Sequence, residues 1–176
     1  PRVVLLTSGA LEPGADIRVV RRESWTTSDL LSELAAAGSG HDDIYYYFAD
    51  CPLLDPRIAA RMYDNHRRYV AEYTFADGYP AGLAPEILRV DVVPRLSSLA
   101  GGSPDLAGAP PGRDTLFSVV QKDINAFDIE TELAPKDQRL LRASLTADCE
   151  RNAMVVEALL ARGAADAEAV TAALET

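Results

Sequence analysis

Cysteine and basic charge are both scarce in this chain, and each scarcity excludes something. Two cysteines in 176 residues cannot build a disulfide framework. No CxxxCxxC set is present either, so iron–sulfur chemistry has no ligands here. Lys and Arg number 17 against 27 Asp and Glu, a net charge of −10. The longest basic runs are Arg21-Arg22 and Arg67-Arg68. They fall far short of the stripe a phosphate backbone needs, so no nucleic-acid partner is expected. No apolar run approaches the ~20 residues of a membrane span, so no membrane partner is expected. No basic start followed by an apolar stretch marks a secretory signal, and the chain reads as cytoplasmic.

What is there is an ordinary globular composition. Hydrophobic residues make up 48% and charged residues 25%, which excludes a disordered tail. A length of 176 residues suits one domain, and 1–176 is read as a single domain.

Val3–Thr7 and Ile17–Arg21 read as strands, with a loop over Leu11–Ala15 between them. Thr26 with Asp29 signals a helix N-terminus, Leu30, Leu31 and Leu34 give helical spacing, and Gly38 ends it. Asp43–Phe48 is a strand with both faces expected to be covered. Asp55-Pro56 opens a helix whose apolar stripe includes Ile58, Met62, Tyr69 and Val70. Tyr73–Pro85 reads as turn, Glu86–Val90 as strand and Asp91–Leu99 as a short helix. Residues 100–112, rich in Gly and Pro, are expected to form a mobile surface loop. Thr115–Ile124 is helical in pattern, Phe127–Leu133 alternates as a half-buried strand, and Leu140–Thr146 is a further strand candidate. Cys149–Arg162 is an amphipathic helix with Met154, Val155, Ala158 and Leu159 on one face, and Asp166–Leu174 is a final helix. Strands alternating with helices predict a three-layer, Rossmann-like α/β fold with a mostly parallel sheet.

In such sheets ligands bind at the carboxyl ends of strands. Asp50 leaves one predicted strand end and Asp148 another, and two such carboxylates suit one hard cation. The plainer alternatives are a turn aspartate at Asp50 and a helix N-cap at Asp148. Each is followed by a cysteine, Cys51 and Cys149. A disulfide, a soft-metal site and a pair of buried free thiols are all open, although two isolated thiols lack zinc spacing. His41 and His66 are expected to face solvent. Tyr45, Tyr46 and Tyr47 alternate faces and cannot form one stacking platform. Trp25 reads as a hydrophobic staple. Asp123, Asp128, Glu130 and Glu132 read as an exposed acidic strand face.

The segment Asp43-Ile-Tyr-Tyr-Tyr-Phe-Ala-Asp-Cys-Pro-Leu-Leu-Asp-Pro56 resembles the GDCPLIDP signature of sugar nucleotidyltransferases. The spore-coat polysaccharide and 3-deoxy-manno-octulosonate cytidylyltransferases are the nearest kin by this resemblance. Tyr79-Pro-Ala-Gly-Leu-Ala-Pro-Glu-Ile-Leu88 is similar to that family's YPDGLDVEVF, and Leu145-Thr-Ala-Asp-Cys-Glu-Arg-Asn152 to its LTVDTPED. Order and distances agree over roughly residues 3 to 161. The resemblance implies a nucleotide-diphospho-sugar transferase fold. It implies transfer of CMP from CTP to a sugar, with release of pyrophosphate. It also implies Mg²⁺ held by Asp50 and Asp148, with Tyr79, Gly82 and Glu86 lining the sugar side. Nucleotide and sugar would then be the partners.

The chain departs from the family pattern at several points. The opening strand and the Gly-rich, cationic loop that cradles the triphosphate have no counterpart within it, so an active enzyme needs that loop upstream. Ala81 and Ala84 stand where the family has aspartates, and Thr115 stands near a frequent histidine. A second function is therefore carried alongside the first: a catalytically degenerate binding or scaffold domain. Val120-Gln-Lys-Asp-Ile-Asn-Ala-Phe-Asp-Ile-Glu-Thr-Glu-Leu133, with Arg139, Leu141-Arg142 and Arg151-Asn152, resembles the N-terminal region of spirochaete radical-SAM/SPASM proteins. That resemblance implies a partner domain in a longer chain.

Overall fold

The structure is a computed structural model and describes residues 3–11, 14, 16–164 and 166–174, without the side chain of Leu140. Glu12, Pro13 and Ala15 of the expected 11–15 loop lie outside the described residues. By contacts the chain divides into two compact units, residues 1–44 with 89–126 and residues 45–88 with 127–176.

In the first unit, β1 (Val3–Thr7) pairs in parallel with β2 (Ile17–Arg21), Val3 opposite Ile17 and Thr7 opposite Arg21. Helix α1 (Thr27–Gly38) starts at the capping box foreseen from Thr26 and Asp29. The Asp29 amide donates to Thr26 Oγ1 at 3.1 Å, and the Thr26 amide donates to Asp29 Oδ2 at 3.1 Å. Trp25, expected as a staple, carries the Arg22 guanidinium over its ring at 5.2 Å. Leu30, Leu31 and Leu34 are buried, and α1 packs on α3 (Val93–Gly101) and α4 (Pro104–Gly108). Helix α4 gives regular structure to a segment expected to be loop. The Thr27 amide donates to the Ala109 carbonyl at 2.8 Å and ties the end of that segment to α1. Helix α5 (Thr115–Val120) runs into a 3₁₀ segment, Gln121–Ala126.

The second unit is built on a sheet ordered β3-β5-β4-β6, formed by β3 (Asp43–Tyr46), β4 (Tyr73–Asp77), β5 (Glu86–Arg89) and β6 (Ile129–Leu133). This sheet is mixed. β6 runs parallel to β4, as expected, but β5 runs antiparallel to it, Tyr73 opposite Leu88. Helix α2 (Pro56–Arg68) packs on β4 and β6. Ile58 and Met62 of α2, Leu83, Ile87 and Leu145 form the core. Val156 and Leu159 of α6 (Glu150–Ala161) and Val170 of α7 (Ala167–Leu174) complete it.

Several expectations fail here for local reasons. Tyr73–Asp77 is strand rather than turn, because its β-favouring residues outweigh the Asp77-Gly78 turn that follows. Leu140–Thr146 is not a strand. Arg139–Leu141 is a 3₁₀ turn, Arg142 is left-handed at φ 49°, and the segment contributes a single parallel bridge, Ser144 to Ala81. Strand β3 ends at Tyr46, short of the expected Phe48, and Tyr45 within it is exposed, so it is not covered on both faces. Tyr69 and Val70 lie past the end of α2 and are exposed, as is Met154 on α6, while Val156 is buried instead. His66 does not face solvent: it is buried and pairs through Nδ1 with Thr74 Oγ1 at 2.7 Å. Among the described residues no helix is long and apolar enough to cross a membrane.

Candidate functional site

Asp50 sits half-buried in the turn after β3, where the Cys51 thiol donates to its Oδ1 at 3.6 Å. Its backbone carbonyl accepts the Ala147 amide at 2.8 Å. Two residues earlier, the Leu145 amide donates to the Ala81 carbonyl, also at 2.8 Å. The strip 144–147 is thus hung on the turn that holds Asp50 and on the loop between β4 and β5. Asp148 follows directly, so the fold brings the backbones of both predicted aspartates into one neighbourhood.

The Asp148 carboxylate is exposed at its outer side but held from within. Oδ1 accepts the Thr146 hydroxyl at 2.7 Å and the Asn152 amide at 2.8 Å. Thr146 is fully buried, and its Oγ1 lies 2.9 Å from Ser144 Oγ. Asp148 is not the helix cap that its spacing allowed. The N-cap of α6 is Cys149, which makes no side-chain cap bond.

Cys51 and Cys149 are both free thiols, the latter exposed. Among the described residues no group of three or more His, Cys, Asp or Glu could hold a metal. Two carboxylates fit Mg²⁺, a hard cation that takes one or two of them and fills its octahedron with water and phosphate oxygens.

The three residues expected on the sugar side lie in three different settings. The Tyr79 hydroxyl accepts from Arg61 Nη2 at 3.3 Å, and Arg61 Nε donates to Glu132 Oε1 at 3.0 Å. Burial raises the Tyr79 pKa, against the opposing pull of the Arg61 hydrogen bond. The Glu132 side chain is only 12% exposed, so the predicted acidic strand face is not open at this position. Glu86 accepts from the hydroxyl of fully buried Tyr73. Gly82 has φ 101°, and a Cβ there would stand 2.6 Å from the Leu145 carbonyl oxygen. The close approach this glycine permits is by the strip that carries Asp148.

Asp55 was legible only as a helix cap, and it does more. Buried at 1% exposure, it accepts the Arg57 amide at 2.8 Å and the Ala167 amide, at the start of α7, at 2.9 Å. Arg57 also reaches Asp55 at 3.3 Å and Asp166 at 3.0 Å. Burial works against the charge on Asp55. The Ala167 and Arg57 hydrogen bonds together outweigh it and hold the pKa below the ordinary 3.8. Arg61, Glu132, Thr146 and Asn152 were missed as site neighbours. Thr146 and Asn152 lay inside the third quoted motif, but their hydrogen bonds to Asp148 depend on the turn into α6.

No protein-family model matches the chain. Over 68 residues it is 38% identical to an uncharacterised protein of Treponema pallidum (strain Nichols), covering 39% of this chain. That match spans under a third, 31%, of the Treponema protein's length. A cytidylyltransferase from Leptospira borgpetersenii serovar Hardjo-bovis (strain JB197) superposes with a TM-score of 0.69 at 18% identity. The superposition covers 91% of this chain and 68% of the Leptospira chain. At that identity the likeness speaks for architecture, and the chain has the mixed α/β fold of a cytidylyltransferase.

Proposed function

We propose that the second unit carries a nucleotidyltransferase-type site related to those of CTP-dependent sugar cytidylyltransferases. The observation that supports it most directly is the Ala147-to-Asp50 hydrogen bond, which sets two carboxylate-bearing segments side by side. In this reading Asp50 and Asp148 hold Mg²⁺, while Tyr79, Gly82 and Glu86 line the sugar side. A sugar hydroxyl oxygen attacks the α-phosphorus of CTP. The bond from that phosphorus to the α–β bridging oxygen breaks, pyrophosphate leaves with the bonding electrons, and the hydroxyl proton passes to solvent. Bound Mg²⁺ supplies neutralisation of phosphate charge. The chain's own residues supply positioning, which carries most of the catalysis in phosphoryl-type transfers.

A second reading is favoured by Ala81 and Ala84, whose side chains offer no polar atoms where the related pattern has carboxylates. On it, the chain keeps the fold as a binding or scaffold domain beside a radical-SAM/SPASM partner domain in a longer protein. Calorimetric titration of CTP with MgCl₂ into the chain, with Asp50→Ala as control, separates the two. Micromolar binding that disappears in the variant is the outcome expected of the nucleotidyltransferase site. An absence of heat at millimolar CTP overturns catalysis by this chain and directs the search to a protein partner or an upstream loop.

A further inference from the structure

We infer that Thr146 and Asn152 are positioning residues for Asp148, a role that deepens the metal-site reading and rests on it. Asp148 is exposed and stands at the entrance to α6, where an aspartate ordinarily caps the helix or turns to water. It does neither through Oδ1. That oxygen takes a hydroxyl from the strip and an amide from one turn into the helix, at 2.7 and 2.8 Å.

The hydroxyl has a direction. Thr146 Oγ1 gives its only proton to Asp148, so at its 2.9 Å contact with Ser144 it is the acceptor. Ser144, Thr146 and Asp148, alternate residues along the chain, thus form a chain of donors ending at the carboxylate. Thr146 is wholly buried and cannot be replaced in this task by water. Asn152 also reaches Thr146 Oγ1, at 3.4 Å, so the three groups lock one another. Two donors on one oxygen fix the plane of the carboxylate. Partners of this kind hold a ligating group in orientation and raise metal affinity by about 10- to 100-fold.

The test is an Mn²⁺ titration of the full chain followed by electron paramagnetic resonance, with thermal unfolding recorded on the same samples. The variants are Thr146→Val, Thr146→Ser, Asn152→Leu, Asp50→Ala and Asp148→Ala. Asn152 is only half-buried, so its variant is expected to fold even where Thr146→Val does not. The expected result is Mn²⁺ binding by the wild type, lost in both aspartate variants. Asn152→Leu and Thr146→Val should weaken it at least about tenfold, with Thr146→Ser restoring it. Variants that lower the unfolding temperature but bind Mn²⁺ like the wild type overturn the positioning role and leave the metal site standing. A wild type that binds no Mn²⁺ overturns both.

Discussion

Gly82 and Asp55 are the residues on which the second unit turns. At Gly82 the backbone conformation disfavours any side chain, and a Cβ would meet a backbone oxygen that cannot swing aside. Gly82→Ala should lose about 3 kcal/mol in urea unfolding, combining left-handed strain with overpacking. Asp55 is a buried carboxylate whose folded pKa lies below its unfolded value. Its stabilisation is therefore full above pH ~4 and fades as pH falls through the lowered folded value. Asp55→Asn should cost about 2 kcal/mol at pH 7. The gap to the wild type should narrow as the pH is lowered below the ordinary aspartate pKa, and urea curves at several pH values check this. The glycine was singled out in the sequence only as part of a motif resemblance, and what packs against it was not legible. That partner, Leu145, lies 63 positions downstream by subtraction of the two residue numbers, and nothing local signals the pairing.

The helices were the most legible elements, because their signals are local. The Thr26/Asp29 box and the Asp55-Pro56 start lie within four residues of the backbone groups they satisfy. Strands depended on neighbours. Tyr73–Asp77 was hidden by an adjoining turn, and Leu140–Thr146 looked like strand until Arg142 took a left-handed conformation. Gly38 makes a test at this scale. An interior or terminal helical glycine ordinarily gains up to about 1 kcal/mol from replacement by alanine. Here a Cβ would press on both Val90 methyls at 2.8 and 3.0 Å and on Ile44 Cδ1 at 2.9 Å. The β-branched valine has little rotamer freedom with which to yield. Gly38→Ala should therefore destabilise by about 1–2 kcal/mol. An increase in the urea midpoint would show that α1 and the segment around Val90 separate more readily than their packing implies.

At the scale of the whole molecule, composition correctly indicated a chain with a packed core, and alternating elements correctly indicated α/β architecture. The antiparallel pairing of β5 with β4 escaped, because Glu86–Arg89 has the same residue pattern whichever way it runs. Motif resemblance pointed to Asp50 and Asp148 together, but the strand end assigned to Asp148 is absent, since Leu140–Thr146 forms no strand. Their supporting groups were not legible, since Thr146, Asn152 and Arg61 acquire meaning only from hydrogen bonds across turns and between elements. The net charge of −10 belongs to this scale too. It makes association with a polyanionic ligand such as CTP unfavourable at long range, and a divalent ion offsets that repulsion. Any CTP binding seen in calorimetry should therefore weaken sharply when Mg²⁺ is replaced by chelator at constant ionic strength.

The bond from the Ala167 amide to Asp55 has a consequence for the order of events during synthesis. It joins residues 112 positions apart, and it supplies one of the hydrogen bonds that keep the Asp55 carboxylate charged. On a ribosome α2 emerges before α7, and until α7 is made its capping aspartate lacks the Ala167 amide. The middle of the chain, 89–126, is completed first and belongs to the other unit. The second unit thus closes only when α7 has been added, and a chain stopped short of residue 167 would carry an N-cap stripped of its distal partner.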